Sequence, residues 1–226
     1  MKTERNYTKE AEVLLRTLAI KLDLLPAAKP EEIFKALLDS VKREGADKLR
    51  EYVYNTDFLT APASTRFHGN VKGGLVTHSI LVYILLSAKN KQYHLGLDQE
   101  SVVLCALLHD LCKTNFYTVE YKNKKIYSEN GKKSDAAGRF DWESVPGYSV
   151  NDQFPLGHAE KSMSLIQDFV KLSDTEKLLI RWHMGPFGAA QGDQYGFNNA
   201  TAFEPACCAM YTADLEASAL FEEVKE

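Results

Sequence analysis

The sequence predicts an all-α helical bundle with one small β-hairpin insertion. Apolar residues recur at helical spacing along most of the 226 residues, and helix start and stop signals punctuate them. Between residues 114 and 156 the pattern changes to the alternation and turn residues that are typical of hairpins. We therefore expect a single domain over residues 1–226, with packing helices in 1–60, a functional core in 61–221 and a hairpin-rich insertion at 114–156.

The composition is that of a globular protein without a strong charge bias. A total of 27 Lys and Arg against 31 Asp and Glu gives a formal net charge of -4, which lacks the basic excess of general nucleic-acid binders. The cysteines form no Cys-x-x-Cys pair and follow no secretory signal, which favours a reduced, cytoplasmic compartment. The most apolar window, Leu75 to Ala88, is too short to span a bilayer, so we expect no membrane insertion.

The N-terminal quarter predicts three packing helices. Leucines from Leu14 to Leu25 recur at helical spacing among charged residues, and Pro26 should end this first helix. Pro30 then opens a second amphipathic helix, because proline is favoured at the first helical position. A third helical piece is expected around Leu49 to Tyr54. None of these segments carries visible chemistry.

A central helix follows a loop. Residues 61–74 are rich in Gly, Pro, Ser and Asn, which is loop composition, and they lead into an apolar helix from Leu75 to about Ala88. This helix is apolar nearly all round and should lie at the centre of the fold, with His78 in its first turn. Asp98 is a plausible N-cap for the next helix, which carries a second apolar run.

The insertion predicts a hairpin with a lysine-rich surface. Residues 117–121 alternate, Asn123-Lys124 is a turn candidate, and Ile126-Tyr127 is the expected returning strand. Further turn signals stand at Asn130-Gly131 and Pro146-Gly147. We favour a solvated hairpin edge for the lysines over a phosphate-steering patch, because charge runs are common. These lysines are Lys122, Lys124, Lys125, Lys132 and Lys133.

The C-terminal part predicts two helices. Gly157-His158 opens the first one. Ser173 and Glu176 have the spacing of a capping box, so the second begins there, and it should run through His183 until Gly185-Pro186 stops it.

A long loop and a final helix complete the chain. The loop should extend from Gly185 to Ala202, and a lid is one candidate role because loops of this length are often functional, although aromatic residues in such a loop more often pack it down. Its aromatic residues, which suit stacking on a nucleobase, are Phe187, Tyr195 and Phe197. Pro205 suits the first turn of the last helix, where small apolar residues surround Asp214.

A set of ionisable residues in apolar surroundings points to a metal site. The apolar run Val102 to Leu108 ends in His109-Asp110, and an unpaired buried carboxylate costs on the order of several kcal/mol. Singly, a histidine on an apolar helix is more often a hydrogen-bonded core residue than a ligand. The whole set favours a divalent cation, and its imidazole and carboxylate donors suit Mn, Fe, Co, Ni or Zn without choosing between them. The other members are His78, His158, His183 and Asp214.

The spacing around Asp110 adds detail. The side chains of the neighbouring residues His109 and Asp110 point about 100° apart on a helix, so both can coordinate one cation from different directions. Asp110 has two oxygens and can also bridge two metal ions. Lys113 shares their face and is placed to contact a bound anion. Its alternative is an ordinary helix-end cation, which the helix dipole favours.

The order of these residues resembles the HD-domain superfamily of metal-dependent phosphohydrolases, over roughly Phe67 to Ser218. The resemblance implies an HD-type bundle whose core ligands are His78, His109, Asp110 and Asp214. His158 and His183 match the extra histidines of the binuclear branch, so one or two divalent ions, Mg included, are expected. Lys113 matches the family form HD-x-G-K, in which Cys112 here replaces glycine.

The resemblance implies hydrolysis of a small phosphoester, with a nucleotide as the expected class. Asp110, Lys113 and Arg66 are then the candidate catalytic residues. Two alternatives stay open. The first is a di-iron oxygenase of the superfamily that acts on a small polyol or phosphonate, because these oxygenases have the same ligand order. The second is a non-catalytic HD module that binds a nucleotide and retains the fold. The stretch 67–70 is similar to the HD domain of Gram-positive 3'-to-5' exoribonucleases, which makes RNA a further candidate, although their OB-fold domain has no counterpart. No GYP signature is present, and oligomeric state stays open.

Overall fold

The computed structural model describes residues 7–23, 29–188 and 194–222. The described chain is mostly helical and carries a small antiparallel sheet, which confirms the predicted helical fold with a hairpin insertion. Its first helices are α1 (Tyr7–Lys21), α2 (Pro30–Asp39), α3 (Ala46–Tyr54), α4 (Gly74–Tyr93) and α5 (Gln99–Leu108). A 3-10 turn (Leu111–Lys113) leads to the strands β1 (Tyr117–Tyr127), β2 (Lys133–Asp135) and β3 (Gly138–Val150).

The C-terminal elements are helical again. They comprise α6 (His158–Gln167), α7 (Asp174–Arg181), a 3-10 turn (Gly185–Gly188), α8 (Gln194–Phe203), α9 (Ala206–Glu216) and a π turn (Ala217–Phe221). The predicted helix starts at Pro30, Asp98 and Ser173 are confirmed: Pro30 opens α2, while Asp98 and Ser173 accept hydrogen bonds from backbone N–H groups of α5 and α7. The first helix ends earlier than predicted, at Lys21, because Leu22 and Asp23 form a turn in which Asp23 is left-handed (φ 55°). Pro26 itself lies outside the described residues.

The core is organised around α4. Apolar residues are distributed around the whole circumference of its first three turns, and the helix packs against α1, α2, α5 and α9, as this pattern predicts. The helix extends beyond Ala88 to Tyr93, where polar residues replace apolar ones and Lys89 forms an ion pair with Glu216 of α9 (2.7 Å). No helix in the described ranges is both long and apolar enough to cross a membrane.

The predicted strand pairing of the insertion is wrong. Asn123-Lys124 is not a turn, because β1 continues through it and pairs antiparallel with β3 along its whole length. A local turn at Asn130-Gly131, where the Gly131 N–H donates to the Ser128 carbonyl (3.2 Å), connects β1 to β2. The chain reverses direction between Asp135 and Gly138, and within the described residues the strand order is β1-β3-β2. The middle of β1 is exposed, so the polar residues there, which resemble a turn in sequence, simply face solvent.

Pro146-Gly147 is also not a turn. Pro146 lies inside β3 opposite Tyr121, and β2 covers only the first residues of β3, up to Phe140. Beyond that point one edge of β3 is unpaired, and a proline, which has no N–H to donate, is tolerated on such an edge. The turn signal therefore marks a free strand edge.

The predicted loop from Gly185 to Ala202 is partly wrong, because residues 194–203 form α8. Gly196 and the neighbouring asparagines have low helix propensity, which is why the sequence suggests a loop. Packing outweighs this preference: the ring of Phe197 contacts those of Trp182 and Tyr211, at centroid distances of 6.0 and 5.4 Å. Residues 189–193 lie outside the described part of the chain.

A buried ion pair ties the N-terminal helices to the core. The carboxylate of Glu176 is fully buried and accepts from Arg43 Nη1 (2.6 Å), Ser101 Oγ (2.7 Å) and the Ser173 N–H (2.7 Å). Arg43 lies between α2 and α3, so the contact joins three parts of the fold.

We predict that Glu176→Gln lowers the free energy of unfolding by about 2 kcal/mol, because it weakens the buried charge-assisted hydrogen bonds of Glu176 while Arg43 keeps its ion pair with Glu100 (3.1 Å). Urea denaturation followed by circular dichroism measures this. The control Glu51→Gln, at an exposed position of α3, should change stability by less than about 0.5 kcal/mol. Equal effects of the two substitutions would contradict the prediction.

Candidate metal centre

The core helices bring the central ligand candidates together. His78 is the fifth residue of α4, one position beyond the predicted first turn because the helix begins at Gly74; His109 is the C-cap of α5, and Asp110 follows it. Asp214 projects from α9, which packs along α4. All four lie at buried or nearly buried positions, because the helices that carry them form the centre of the fold.

The remaining two histidines come from helix ends. His158 is the first residue of α6, as predicted. His183 is not inside α7 as predicted, because the helix ends at Arg181 and Trp182 leaves the helical region (φ -110°, ψ 16°). The His183 ring is nevertheless fully buried and faces the same site.

The Asp110 carboxylate lies between two groups of imidazoles. Its Oδ1 lies 2.8 Å from Nε2 of His158 and 3.6 Å from Nε2 of His183. Its Oδ2 lies 3.4 Å from Nε2 of His109 and 3.8 Å from Nε2 of His78. Each oxygen thus faces a different pair of histidines, which is the arrangement that a carboxylate bridging two cations requires.

Asp214 completes the first of these groups. Its Oδ1 lies 2.9 Å from Nε2 of His78 and 3.9 Å from Nε2 of His109. The donor atoms of His78, His109 and Asp214 lie within 4.8 Å of one another, as do those of His109, Asp110 and His183. The structure therefore brings together all six residues that the sequence predicts as ligands.

Hydrogen bonds orient the imidazoles. Nδ1–H of His109 donates to the Ala106 carbonyl (2.9 Å) and Nδ1–H of His183 donates to the Ile180 carbonyl (2.7 Å). A neutral ring that donates from Nδ1 carries its lone pair on Nε2. Nε2 of His183 is buried and has no hydrogen-bond partner among the described residues, so its lone pair points into the site unused.

The charges of the site are strongly coupled. Burial lowers the pKa of His78, but the carboxylates of Glu222 and Asp214 outweigh it and raise that pKa to about 10. Burial also lowers the pKa of His109. Burial opposes ionisation of Asp110, yet Lys113 and His109 hold its pKa well below the usual range. The protein thus presents ionised carboxylates and at least one neutral imidazole, which are cation ligands.

Lys113 occupies the position that the sequence predicts. Its Nζ lies 2.6 Å from Oδ2 of Asp110, and this contact raises the lysine pKa against the opposing effect of burial. Lys113 lines a cavity of about 380 Å³ together with His158, Asp110 and Asp214. An ammonium group therefore lies beside the ligand cluster and lines the same cavity.

Glu222 is a site residue that the sequence analysis misses. Its Oε1 accepts from Nδ1 of His78 (2.5 Å), and its side chain is buried. In a regular α-helix, residues eight apart such as Asp214 and Glu222 lie about 80° apart around the axis, so spacing does not pair them. The π turn Ala217–Phe221 between them changes the helical phase, and both carboxylates reach His78.

Cys112 and His68 are two further neighbours of the site. Cys112 Sγ lies 3.2 Å from Nδ1 of His158 and belongs to a third compact donor group with Asp110. Burial raises the pKa of its thiol to about 12. The His68 ring lies 5.2 Å from that of His78. The family pattern treats position 112 as a glycine, and His68 comes from a loop, so neither was predicted as a ligand.

The remaining predicted residues are placed differently. Arg66 does not line the metal-site cavity but faces a neighbouring cleft. Of the predicted lid aromatics, Phe187 lines the cavity and is 84% exposed, Tyr195 is exposed, and Phe197 is held in the packing of α8. Only Phe187 of this set is therefore available to a ligand in the cavity.

Comparison with known proteins identifies no relative of this chain, so the site is interpreted from its own geometry. No family model, no curated protein and no solved structure matches the chain. The donor set nevertheless fits a divalent cation. His78 Nε2 lies close to His109 Nε2 (3.2 Å) and to the Asp214 carboxylate, so one cation could contact all three donor atoms. Nε2 of His183 has no hydrogen-bond partner among the described residues and is a further available donor. A bound cation would replace the proton that His78 otherwise carries on Nε2.

We predict that Glu222→Gln weakens metal affinity by about 10- to 100-fold, because a carboxylate that accepts from a ligating histidine orients the ring and raises its basicity. Competition with a chromophoric chelator measures the affinity. The matched control is Glu216→Gln, in which the replaced carboxylate binds Lys89 instead of a ligand. Unchanged affinity in Glu222→Gln would contradict the role assigned to this residue.

Proposed function

We propose that the protein is a metal-dependent phosphohydrolase that cleaves a phosphoester bond of a nucleotide or a related small phosphate ester. One observation carries the proposal: the Asp110 carboxylate joins two groups of imidazoles, and the Lys113 ammonium contacts the same carboxylate inside an accessible cavity. Cation ligands and a separate positive group beside them are what an anionic phosphoryl substrate requires.

The ligand roles follow from the two groups. His78, His109 and Asp214 would hold one cation together with Asp110, and His158 and His183 would hold a second one on its other oxygen. When bound, such ions lower the pKa of water and offset the charge of a phosphoryl group. The residues themselves contribute buried, oriented donors that need little reorganisation, because hydrogen bonds already hold the rings of His109 and His183.

Lys113 would bind the substrate. Its side chain is largely buried, so its charge is weakly screened, and the cavity that it lines is also bounded by Tyr117 and Phe187. An oxygen of the phosphoryl group would accept a hydrogen bond from Nζ, which holds phosphorus beside the ligand cluster. The exposed Phe187 ring at the cavity is suited to contact a base or sugar of the leaving group.

The position of Lys113 favours an anionic substrate over a neutral polyol, and the ligand set favours catalysis over a binding module. An oxygenase acting on a neutral polyol needs no ammonium against the bridging carboxylate. A non-catalytic binding module needs no complete set of six ligand residues, because the five that are buried or nearly buried lower stability unless they are paired, whereas His158 is exposed. An oxygenase acting on a phosphonate and a nucleotide-binding module would also use this ammonium, so metal content, oxygen consumption and hydrolysis together separate them from a hydrolase.

We predict that the purified protein contains a divalent metal and hydrolyses members of a panel of phosphomonoesters, phosphodiesters and nucleotides. Asp110→Asn should lose metal and reduce hydrolysis by at least about 10²-fold, because it removes the charge shared by both ligand groups. Metal analysis by mass spectrometry and release of product measure the two effects. The matched control Asp168→Asn, on an exposed residue, should keep both.

The hydrolase proposal fails if wild-type protein retains iron, consumes oxygen and leaves every phosphoester intact. Equal metal content and equal activity in wild type and Asp110→Asn would show that Asp110 is not part of the metal site.

We predict that Lys113→Met reduces kcat by about 10²-fold while the metal content does not fall, because the substitution keeps the length of the side chain but removes the charge offered to the phosphoryl group. Steady-state kinetics on the best substrate of the panel, with metal analysis of the same sample, measure both. The control Lys91→Met, at an exposed position of α4, should leave kcat unchanged. Wild-type kcat in Lys113→Met would make this residue an ordinary helix-end cation.

A further inference from the structure

A second cleft lies beside the metal-site cavity. Its volume is about 780 Å³, roughly twice that of the cavity at the ligands, which is about 380 Å³. One wall is the loop of residues 65–70 and the other is the sheet, from Val119 to Ile126 of β1 and from Val145 to Tyr148 of β3. We call this space the hairpin cleft. A ligand confined to the ligand cluster would leave it unfilled.

The hairpin cleft continues the metal-site cavity. Thr65 lines both spaces, and the cavity is bounded by Tyr117 and Val150, the paired outer ends of β1 and β3. The hairpin cleft begins at Val119, two residues further along the same strand. A chain-like ligand can therefore run from the metal centre along the β1-β3 ribbon.

The hairpin cleft is positively charged. Its charged lining residues are Arg66, Lys122 and Lys124, and no acidic residue lines it among those that the structure describes. All three side chains are exposed, and none forms an ion pair with a carboxylate in the described part of the chain. Glu143 is the cross-strand neighbour of Lys124 but lies outside the lining. With an overall net charge of -4, this cleft is a local basic surface on an acidic protein.

Apolar groups face the hairpin cleft as well as the positive charges. Val119, Ile126, Val145 and Tyr148 line the same cleft, and Val119 is 60% exposed. A compact anion such as a polyphosphate would contact only the charges and leave these groups in water. A nucleic acid strand has phosphates for the cations and bases or sugars for the apolar and aromatic groups, as single-strand binding sites do.

We propose that the hairpin cleft binds the continuing strand of a single-stranded oligonucleotide whose scissile phosphodiester lies at the metal centre. The inference rests on the proposed phosphohydrolase function and assigns its substrate class. Arg66, Lys122 and Lys124 contact phosphates beyond the scissile one, while the apolar residues contact bases or sugars. Arg66 is thereby a substrate-binding residue away from the reacting phosphate.

The five lysines of the insertion divide into two groups. Lys122 and Lys124 line the hairpin cleft, whereas Lys125 is paired with Asp135 (2.5 Å). Lys132 and Lys133 lie in the same insertion outside the lining. They provide a matched control, because the double substitution Lys132→Glu/Lys133→Glu changes the net charge by the same amount as Lys122→Glu/Lys124→Glu.

The test measures binding of a fluorescein-labelled oligothymidylate of about 10 nucleotides by fluorescence anisotropy. Phosphorothioate linkages keep the strand intact, so binding is read separately from cleavage. We expect Lys122→Glu/Lys124→Glu to lower affinity at least about tenfold and to reduce the slope of log affinity against log salt by about 1.4, or about 0.7 for each phosphate that the variant no longer neutralises. The control double variant should bind like wild type, and circular dichroism checks that both variants fold.

Each other outcome is decisive. An equal loss of affinity in both double variants would overturn the hairpin cleft as the binding site, since only overall charge would then matter. Tripolyphosphate that displaces the labelled strand as well as unlabelled oligothymidylate does, at equal phosphate concentration, would overturn the strand in favour of a compact polyanion.

The same experiment separates this inference from the proposed function. Strand binding that depends on Lys122 and Lys124, in a protein that hydrolyses no phosphoester, would support the hairpin cleft and reject the hydrolase. Hydrolysis of small phosphoesters together with strand binding that is insensitive to these lysines would reject the hairpin cleft and leave the hydrolase standing.

Discussion

The burial of the Asp110 carboxylate is the constraint on which the rest of the structure depends. An ionised carboxylate in an apolar core is unstable without compensating charge, and here four imidazoles and the Lys113 ammonium surround it. Separate parts of the chain must meet at one point to provide these groups. The stretches that lead to them, Leu75 to Leu86 of α4 and Val102 to Leu108 of α5, are accordingly mostly buried and mostly apolar.

The outer elements support this centre without contributing ligands. The N-terminal helices cover the apolar faces of α4 and α5, and the Arg43–Glu176 pair fastens them to α7, which precedes His183. The π turn after α9 serves the centre directly, because it brings Glu222 to the far side of the His78 ring. Three features thus hold the ligand residues in place: the buried Arg43–Glu176 ion pair, the backbone carbonyls that accept from the rings of His109 and His183, and the π turn.

The sheet extends the same cavity outward. A helical bundle offers a compact pocket, and the β1-β3 ribbon adds an open wall with cations and apolar groups beside it. The middle of β1 is polar and exposed, so it cannot contribute to a hydrophobic core, but its lysines suit a surface that contacts a polyanion. Under the proposed function, the two spaces together would suit a substrate larger than a mononucleotide.

The sequence by itself determined the helical class, most helix starts and the six ligand candidates, because caps, periodicity and ionisable groups in apolar runs are local signals. It did not determine the strand pairing around Asn123, the helix at Phe197 or the partnership of Glu222 with His78. Those depend on contacts between distant segments: a long cross-strand register, aromatic packing against Trp182, and the phase of a π turn. Local pattern specifies which residues are costly to bury alone, whereas only the tertiary structure decides which of them meet.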